Sequence, residues 1–398
     1  MLSVDEAIAA VLSDVEPLRE FETVELRSLA GRMTATDIIA QRTQPDFASS
    51  AMDGYAVRAA DVTPTRALRL VGESAAGCRF HGKLCGGECV RIFTGAPIPD
   101  GADAVVIQED VDRSGDAVRS LIHTMPGRHV RPRGNDFHLG DVLVPAGTRL
   151  GAASIALVAS GGHPMVNVRR RPRVGILSTG DELVLPGRPV GPDQIVASNI
   201  YGIAVLAEQA GAQVFDLGLV GDRMDDLTRA LDDALATRLD ILVTIGGASV
   251  GDRDLIAPAL RDRGVSLDFM KVAMRPGKPL MAGHTGETRV LGLPGNPASS
   301  LVTATLFLAP LIRAMHGEAR GLQRQTGRLS QDLPANDHRT EFMRARLHAS
   351  KDGWIVTPLP RQDSSLLSIF AQADALLVRP SNAEAAIAGD VCEFLPLA

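Results

Sequence analysis

Apolar positions change their spacing several times along the 398-residue chain, and each change marks a different kind of element. Near the start, Val4, Ile8, Val11, Leu12 and Val15 recur at the spacing of one helical face, which ends at Pro17. Ser3, with Glu6 three residues on, is the signature of a capping box at the head of that helix. Charged and apolar residues also alternate at helical spacing over residues 24–34, which predicts a second helix. From Pro45 to about Asp136 the apolar runs shorten. Tyr55-Ala56-Val57, Leu68-Arg69-Leu70-Val71, Cys89-Val90-Arg91-Ile92 and Ala104-Val105-Val106-Ile107 are separated by Gly, Pro and Asp, the texture of a compact β-rich domain. A helix over Ala152–Ser160 closes at Gly161-Gly162. The basic run Arg169-Arg170-Arg171-Pro172-Arg173 then reads as a solvated junction between domains.

Beyond it the pattern becomes regular α/β. Val174-Gly175-Ile176-Leu177-Ser178 reads as a strand covered on both faces, and Asn199–Gln209 as a helix with Ser198 before it and Gly211 after it. A strand over 214–219, a helix over Met224–Ala236, a buried strand over 240–245, a strand over 290–293 and a helix over 299–315 follow. Alternation of this kind predicts a doubly wound, mostly parallel sheet. Residues 317–327 are polar and read as a linker. The remainder returns to short strands, such as Trp354-Ile355-Val356 and Ala375-Leu376-Leu377-Val378, which fits a small all-β module.

Length and composition sharpen this outline. The chain is too long for one ordinary core, and its 39 Gly and 24 Pro belong to a turn-rich globular protein. Aromatics are only 4%, so packing rests on Val, Leu, Ile and Ala. A formal net charge of −6 argues against a nucleic-acid partner, and the Arg169–Arg173 run has no aromatics interleaved with it. Cys78, Cys85, Cys89 and Cys392 lack CxxC spacing and an accompanying His pair, so they read as structural thiols. The N-terminal residues lack the basic and apolar regions of a secretory signal, and no uninterrupted apolar stretch is long enough to span a membrane. The expectation is a cytoplasmic protein.

Candidate chemistry gathers where parallel strands end, the usual place for ligands in an open sheet. One strand leads into Ser178-Thr179-Gly180-Asp181-Glu182-Leu183, two carboxylates delivered by a glycine turn. Another leads into Gly246-Gly247-Ala248-Ser249-Val250-Gly251-Asp252-Arg253-Asp254, where glycines let backbone N–H groups face an anion and aspartates suit a divalent cation. A third leads into Pro294-Gly295-Asn296-Pro297 ahead of a helix, whose N-terminus favours phosphate. Asp222, in Gly221-Asp222-Arg223, also follows a strand. Only four of the 41 basic residues are lysine, yet Lys271 and Lys278 fall in one short segment with Arg275. Carboxylates, cations and glycine turns together suit a polyanion bound with Mg²⁺. Taken singly, each loop reads equally well as a turn. In the β-rich region, Ser50-Ala51-Met52-Asp53-Gly54-Tyr55-Ala56, Arg91-Ile92-Phe93-Thr94-Gly95-Ala96 and Arg133-Gly134-Asn135-Asp136 are, one at a time, ordinary turn chemistry.

In number and order these motifs, with Pro276-Gly277-Lys278-Pro279, resemble the molybdopterin molybdenumtransferase family, which includes the C-terminal domain of gephyrin. The resemblance implies an elongated homodimer of four-domain chains. A discontinuous N-terminal helical domain would cover 1–44 and 138–170, a β-rich insertion 45–137, a molybdopterin-binding α/β domain 171–318 and a C-terminal β-barrel 319–398. It implies an active site between the α/β domain of one subunit and the inserted domain of the other. The implied reaction loads molybdate onto adenylylated molybdopterin with Mg²⁺-dependent release of AMP. Asp53, Thr94, Asp136, Glu182, Asp222, Asp254, Lys271 and Lys278 match positions tied to activity, with Asp222 and Asp254 placing the metal. Ser178, Thr179, Gly180, Gly246, Gly247, Ser249, Arg275, Pro294, Gly295, Asn296 and Pro297 would contact substrate. Arg275 stands where the family commonly has lysine. Implied partners are a second copy of the chain and, transiently, the adenylyltransferase and apo-molybdoenzymes; neither nucleic acid nor membrane is expected. Two other readings use the same fold: a molybdopterin adenylyltransferase, and a scaffold that binds molybdopterin without catalysis.

Overall fold

The computed structural model describes residues 1–247, 255–318 and 321–397, and the chain divides into two compact units. One joins Met1–Phe21 to Arg169–Ala398, and the other is Glu22–Val168.

In the first unit, apolar runs buried on both faces make a six-stranded sheet. Its order is Gln213–Val220, Arg173–Thr179, Ile241–Ile245, Thr288–Leu293, Pro279–Thr285, Ser266–Lys271. The first four strands run parallel, with Val174 opposite Ile241 and Leu242 opposite Val290; the last two are antiparallel additions. Alternate side chains feed two cores. Val174, Ile176, Ile241 and Val243 meet helices Val4–Leu12, Asn199–Gln209 and the apolar helix 297–316 on one side. Leu177 and Leu242 meet Leu227, Leu231 and Leu260 from helices Met224–Ala236 and Ile256–Arg261 on the other. The doubly wound, mostly parallel sheet is therefore borne out. Both antiparallel strands escape a periodicity reading, because Ser-Leu-Asp-Phe-Met-Lys has no continuous apolar run and the other opens on Pro279, a residue that argues against a central strand.

Pro297–His316 is, by length and composition, apolar enough to cross a membrane, although Ser299, Ser300, Thr303, Thr305 and Arg313 interrupt its apolar run. It is a core helix: 83% of its most apolar window is buried. The opening capping box forms as expected. Ser3 Oγ accepts from the Glu6 N–H at 3.3 Å and Glu6 Oε2 accepts from the Ser3 N–H at 2.8 Å. The expected helix over 24–34 does not form. A strand, Phe21–Glu25, gives way to a short 3₁₀ turn at Leu26–Ser28. Gly31 then takes a left-handed φ of +73°, and Met33 and Thr34 make single bridges to Arg149 and Val168. Tertiary pairing and a glycine override helical spacing there.

The arginine run is also not a free linker. Arg170 grips Asp240 through two hydrogen bonds of 2.6 and 2.8 Å and pairs with Glu20, while Arg169 Nη1 donates to the Leu18 carbonyl at 2.6 Å. Arg173 lies 5.2 Å above the Phe215 ring. These guanidiniums are used because Asp240 precedes a central strand and its carboxylate lies at the sheet's amino edge.

In the C-terminal region, Gln325–Leu329, Thr340–Ser350, Gly353–Pro358, Ala375–Arg379 and Val391–Pro396 close on themselves, since Thr340–Ser350 pairs with Ala375–Arg379 as well as with Gly353–Pro358. Leu329, Val356, Leu377 and Phe394 fill this barrel. Burial pushes the Cys392 thiol in the barrel up to about 11.

The second unit holds a six-stranded sheet ordered Ala104–Ile107, Gly54–Val57, Glu88–Ile92, Ala67–Ser74, Ala117–Ser120, Val111–Ser114. It contains the four short runs seen in the sequence. Cys89 is buried in it, with its thiol pushed up to about 12 by desolvation. Helix Ala152–Ser160 packs through Val158 on a separate small core with Leu29, Ile38 and Val166.

Candidate functional site

A cavity of about 800 Å³ opens at the carboxyl ends of the parallel strands. Ser178, Thr179, Gly180 and Glu182 line it from the first loop, Asp222 from the second, Gly246 and Gly247 from the third, and Pro294, Gly295, Asn296 and Pro297 from the fourth. Eleven of the positions named from the sequence thus share one cavity, drawn from four separate stretches of chain.

Local chemistry explains why these loops converge. Gly246 has φ +94°, and a Cβ there would lie 2.6 Å from the Thr179 carbonyl oxygen, so only glycine lets the two strand ends close up. Asp222 is held by its backbone, whose N–H donates to Asp181 Oδ1 at 3.0 Å; a Cβ on the preceding Gly221 would come within 2.7 Å of that same oxygen. Asp222 and Glu182 are both exposed carboxylates on the cavity wall. Thr179 is only 5% exposed, and its Oγ1 has no hydrogen-bond partner among the described residues. A buried hydroxyl of this kind has its hydrogen-bonding capacity left for a ligand or a water.

The Pro294–Pro297 loop is pinned from three sides. Asn199 Nδ2 donates to the Gly295 carbonyl at 2.6 Å, and Ser300 Oγ donates to the Pro294 carbonyl. From the C-terminal barrel region, Ser364 Oγ accepts from Asn296 Nδ2 at 3.1 Å and its carbonyl accepts from the Ala298 N–H at 3.0 Å. Pro297 stands at the first turn of the following helix, where a missing N–H costs nothing.

Other expected positions lie elsewhere. Lys271 ends strand Ser266–Lys271 and pairs in register with Pro279, a wall residue, but neither Lys271 nor Lys278 lines the cavity. Arg275 does not line this cavity either. Its short strand joins the barrel edge at Thr340, and its guanidinium donates to Glu341 Oε2 at 2.6 Å with Asp337 at 3.9 Å. Two carboxylates from the barrel therefore neutralise it. Ser249 and Asp254 lie outside the described residues.

Asp53, Thr94 and Asp136 belong to the second unit. Asp53 Oδ1 accepts from the Thr94 N–H at 2.7 Å and from its hydroxyl at 2.8 Å. Those bonds, with the nearby Arg91 charge, hold its carboxyl below the usual range. Arg91 is itself fixed, stacked 5.1 Å from the Tyr55 ring centre and 4.9 Å from that of Phe93, and bonded to Gln108 at 2.7 Å. Asp136 is exposed, with its N–H donating to the Gln44 carbonyl at 3.0 Å.

Sequence reasoning missed Asn199, Ser365 and the apolar wall of Ile195, Val196 and Ala197. Asn199 sits at a helix start and carried a local signal; Ser365 comes from the barrel region and carried none.

A parallel sheet with a loop-built cavity at its carboxyl edge, in a chain that also carries a closed barrel and a β-rich unit, defines a molybdopterin-binding class of α/β protein once the known relatives are compared. Residues 175–314 match a probable molybdopterin binding domain, residues 2–162 the MoeA N-terminal region (domain I and II), and residues 326–397 the MoeA C-terminal region (domain IV). The chain is 34% identical to the molybdopterin molybdenumtransferase of Haemophilus influenzae, over 100% of this chain and 98% of that one. It is 33% identical to the Bacillus subtilis protein of the same name, over 99% and 94%. The molybdopterin biosynthesis MoeA protein of Pyrococcus horikoshii superposes with a TM-score of 0.84 at 27% identity, covering both chains fully. The chain belongs to the molybdopterin molybdenumtransferase family.

Proposed function

We propose that this enzyme loads molybdate onto adenylylated molybdopterin and releases AMP, so that molybdenum leaves on the substrate's dithiolene sulfurs. The observation that carries this reading is the loop-lined cavity, which falls within the segment matching a molybdopterin binding domain. Its floor of glycine turns and its helix N-terminus favour phosphate oxygens. Asp222 and Glu182 orient the substrate's polar groups, and holding the reacting parts in one geometry supplies much of the rate.

Mg²⁺ fits the donor set. Carboxylate oxygens suit it, and Asp222 and Glu182 supply them on the cavity wall. Asp222 and Asp254 would hold it, and when bound it would neutralise charge developing on phosphate oxygens. Lys271 and Lys278 are proposed to neutralise oxyanion charge, and Asp53, Thr94 and Asp136 to serve the same reaction from the second unit. The working form is proposed to be a cytoplasmic homodimer of four-domain chains, checked by sedimentation.

The test incubates purified protein with adenylylated molybdopterin, Mg²⁺ and molybdate while AMP release and protein-bound molybdenum are followed together. Both signals should rise with molybdate and fall by roughly tenfold or more in Asp222→Ala. Binding of the adenylylated pterin without either signal would instead identify a non-catalytic binder.

A further inference from the structure

In the β-rich unit, strand Glu88–Ile92 carries two kinds of charged side chain. Glu88 pairs with Arg69 of the neighbouring strand, the ordinary fate of a charge on a sheet surface. Arg91 is held differently. Its guanidinium donates to two neutral acceptors, the Gly54 carbonyl at 3.2 Å and Gln108 Oε1 at 2.7 Å, and lies against the rings of Tyr55 and Phe93. A cation seated on ring faces and neutral acceptors is fixed in place while its charge is not cancelled by a bonded anion.

These contacts surround Asp53. Tyr55 stands directly opposite Arg91 where strands Gly54–Val57 and Glu88–Ile92 pair. The Asp53 carbonyl accepts from the Gln108 N–H at 3.2 Å, and the next carbonyl, that of Gly54, is the one Arg91 holds. A Cβ on Gly54 would lie 2.0 Å from the Val106 carbonyl oxygen, so this backbone sits flush against the strand Ala104–Ile107. Thr94 follows Arg91 by three residues and gives both its N–H and its hydroxyl to Asp53 Oδ1. Arg91 thus braces both halves of the pair: the strand that starts just after Asp53 and the strand that ends just before Thr94. Because both Thr94 bonds land on one oxygen of a planar carboxylate, they also set the direction of the other.

We propose that Arg91, seated by Gln108, is a positioning residue for the reaction: it fixes the Asp53–Thr94 pair so that the second Asp53 oxygen is presented to substrate as a carboxylate acceptor. This rests on the reading that Asp53 and Thr94 serve the reaction. The Arg91 charge favours the ionised form of Asp53, and its planar fork spans two acceptors that a lysine ammonium would not hold together. Arg91 acts through the pair and not on substrate.

Four variants of the full chain test this: Arg91→Met, Arg91→Lys, Asp53→Asn and the Arg91→Met/Asp53→Asn double. In Arg91→Met, kcat for AMP release should fall roughly tenfold with little change in KM, the scale on which loss of an outer supporting residue is felt. Arg91→Lys keeps the charge without the fork and should recover part of that loss. The double should be no slower than Asp53→Asn alone, because Arg91 works through that carboxylate. An unchanged kcat in Arg91→Met, or effects that multiply in the double, overturns the proposal. A merely structural arginine would leave the Asp53 titration alone, so NMR of the carboxyl group supplies a second reading. Its midpoint should rise toward 3.8 in Arg91→Met, and an unmoved midpoint overturns the proposal. Should Arg91→Met fail to fold, Gln108→Ala, at an exposed position, releases one arm of the guanidinium, and the same outcomes decide. If Asp53→Asn releases AMP as fast as the parent, the reading that the pair serves the reaction fails. A raised midpoint in Arg91→Met then still supports the bracing, and an unmoved one overturns it.

Discussion

At Asp53 a backbone N–H and a hydroxyl, both from Thr94, converge on one carboxylate oxygen. Stabilising the charged form lowers the folded pKa, so the contribution to stability is complete above the ordinary value of 3.8 and is lost as pH falls through the lower folded value. Thr94→Val removes the hydroxyl and leaves the N–H. The Asp53 midpoint, followed by NMR carboxyl titration, should move part of the way back toward 3.8; an unmoved midpoint would show that the hydroxyl contributes nothing. Both residues were visible in the sequence as turn motifs, but their mutual bonding was not, because they come from different loops. Arg275 shows another tertiary pairing that its sequence segment does not announce. It sits in a cationic segment, yet Glu341 and Asp337 from the barrel claim its charge.

Elements were legible in proportion to how far their own residues determine them. Helix Val4–Leu12 carries both partners of its capping box, so its start could be read locally. Ser3→Ala should cost about 1 kcal/mol, measured as a lower urea midpoint at unchanged slope. A midpoint equal to the parent's would mean that packing of Val4, Ala7 and Ile8 alone holds the first turn. Residues 24–34 show similar periodicity and form no helix, because Gly31 adopts a left-handed conformation and Thr34 donates its hydroxyl to the Pro145 carbonyl at 2.8 Å. The hairpin-linked strands Pro279–Thr285 and Thr288–Leu293 differ in the same way. The second is an apolar run and was seen, whereas the first opens on proline and was not.

Across the first unit, segments far apart in the chain are clamped by charge. Arg170, from the junction, holds Asp240 at the head of a central strand and Glu20 from the N-terminal segment, and Asp240 also accepts from the Arg173 N–H at 2.7 Å. The side chains of Arg170 and Asp240 are 23% and 14% exposed, so the pair is only partly screened. Asp240→Ala strands a guanidinium and an N–H together and should cost about 2 kcal/mol. Thermal unfolding reads this directly, and a melting temperature equal to the parent's would mean that Glu20 alone satisfies Arg170.

Periodicity, capping residues and turn glycines are properties of neighbouring residues. They determined by themselves the four parallel strands of the α/β sheet, the β-rich runs and the loops at strand ends from which the cavity is built. Only the tertiary structure decided which charges are spent on one another, as in Arg275 with Glu341 and Arg170 with Asp240. It also decided that Ser365 reaches a cavity formed by a different domain pattern. The physical reason is range: backbone preferences act over a few residues, whereas pairing of charges and closing of a wall depend on which distant segments meet.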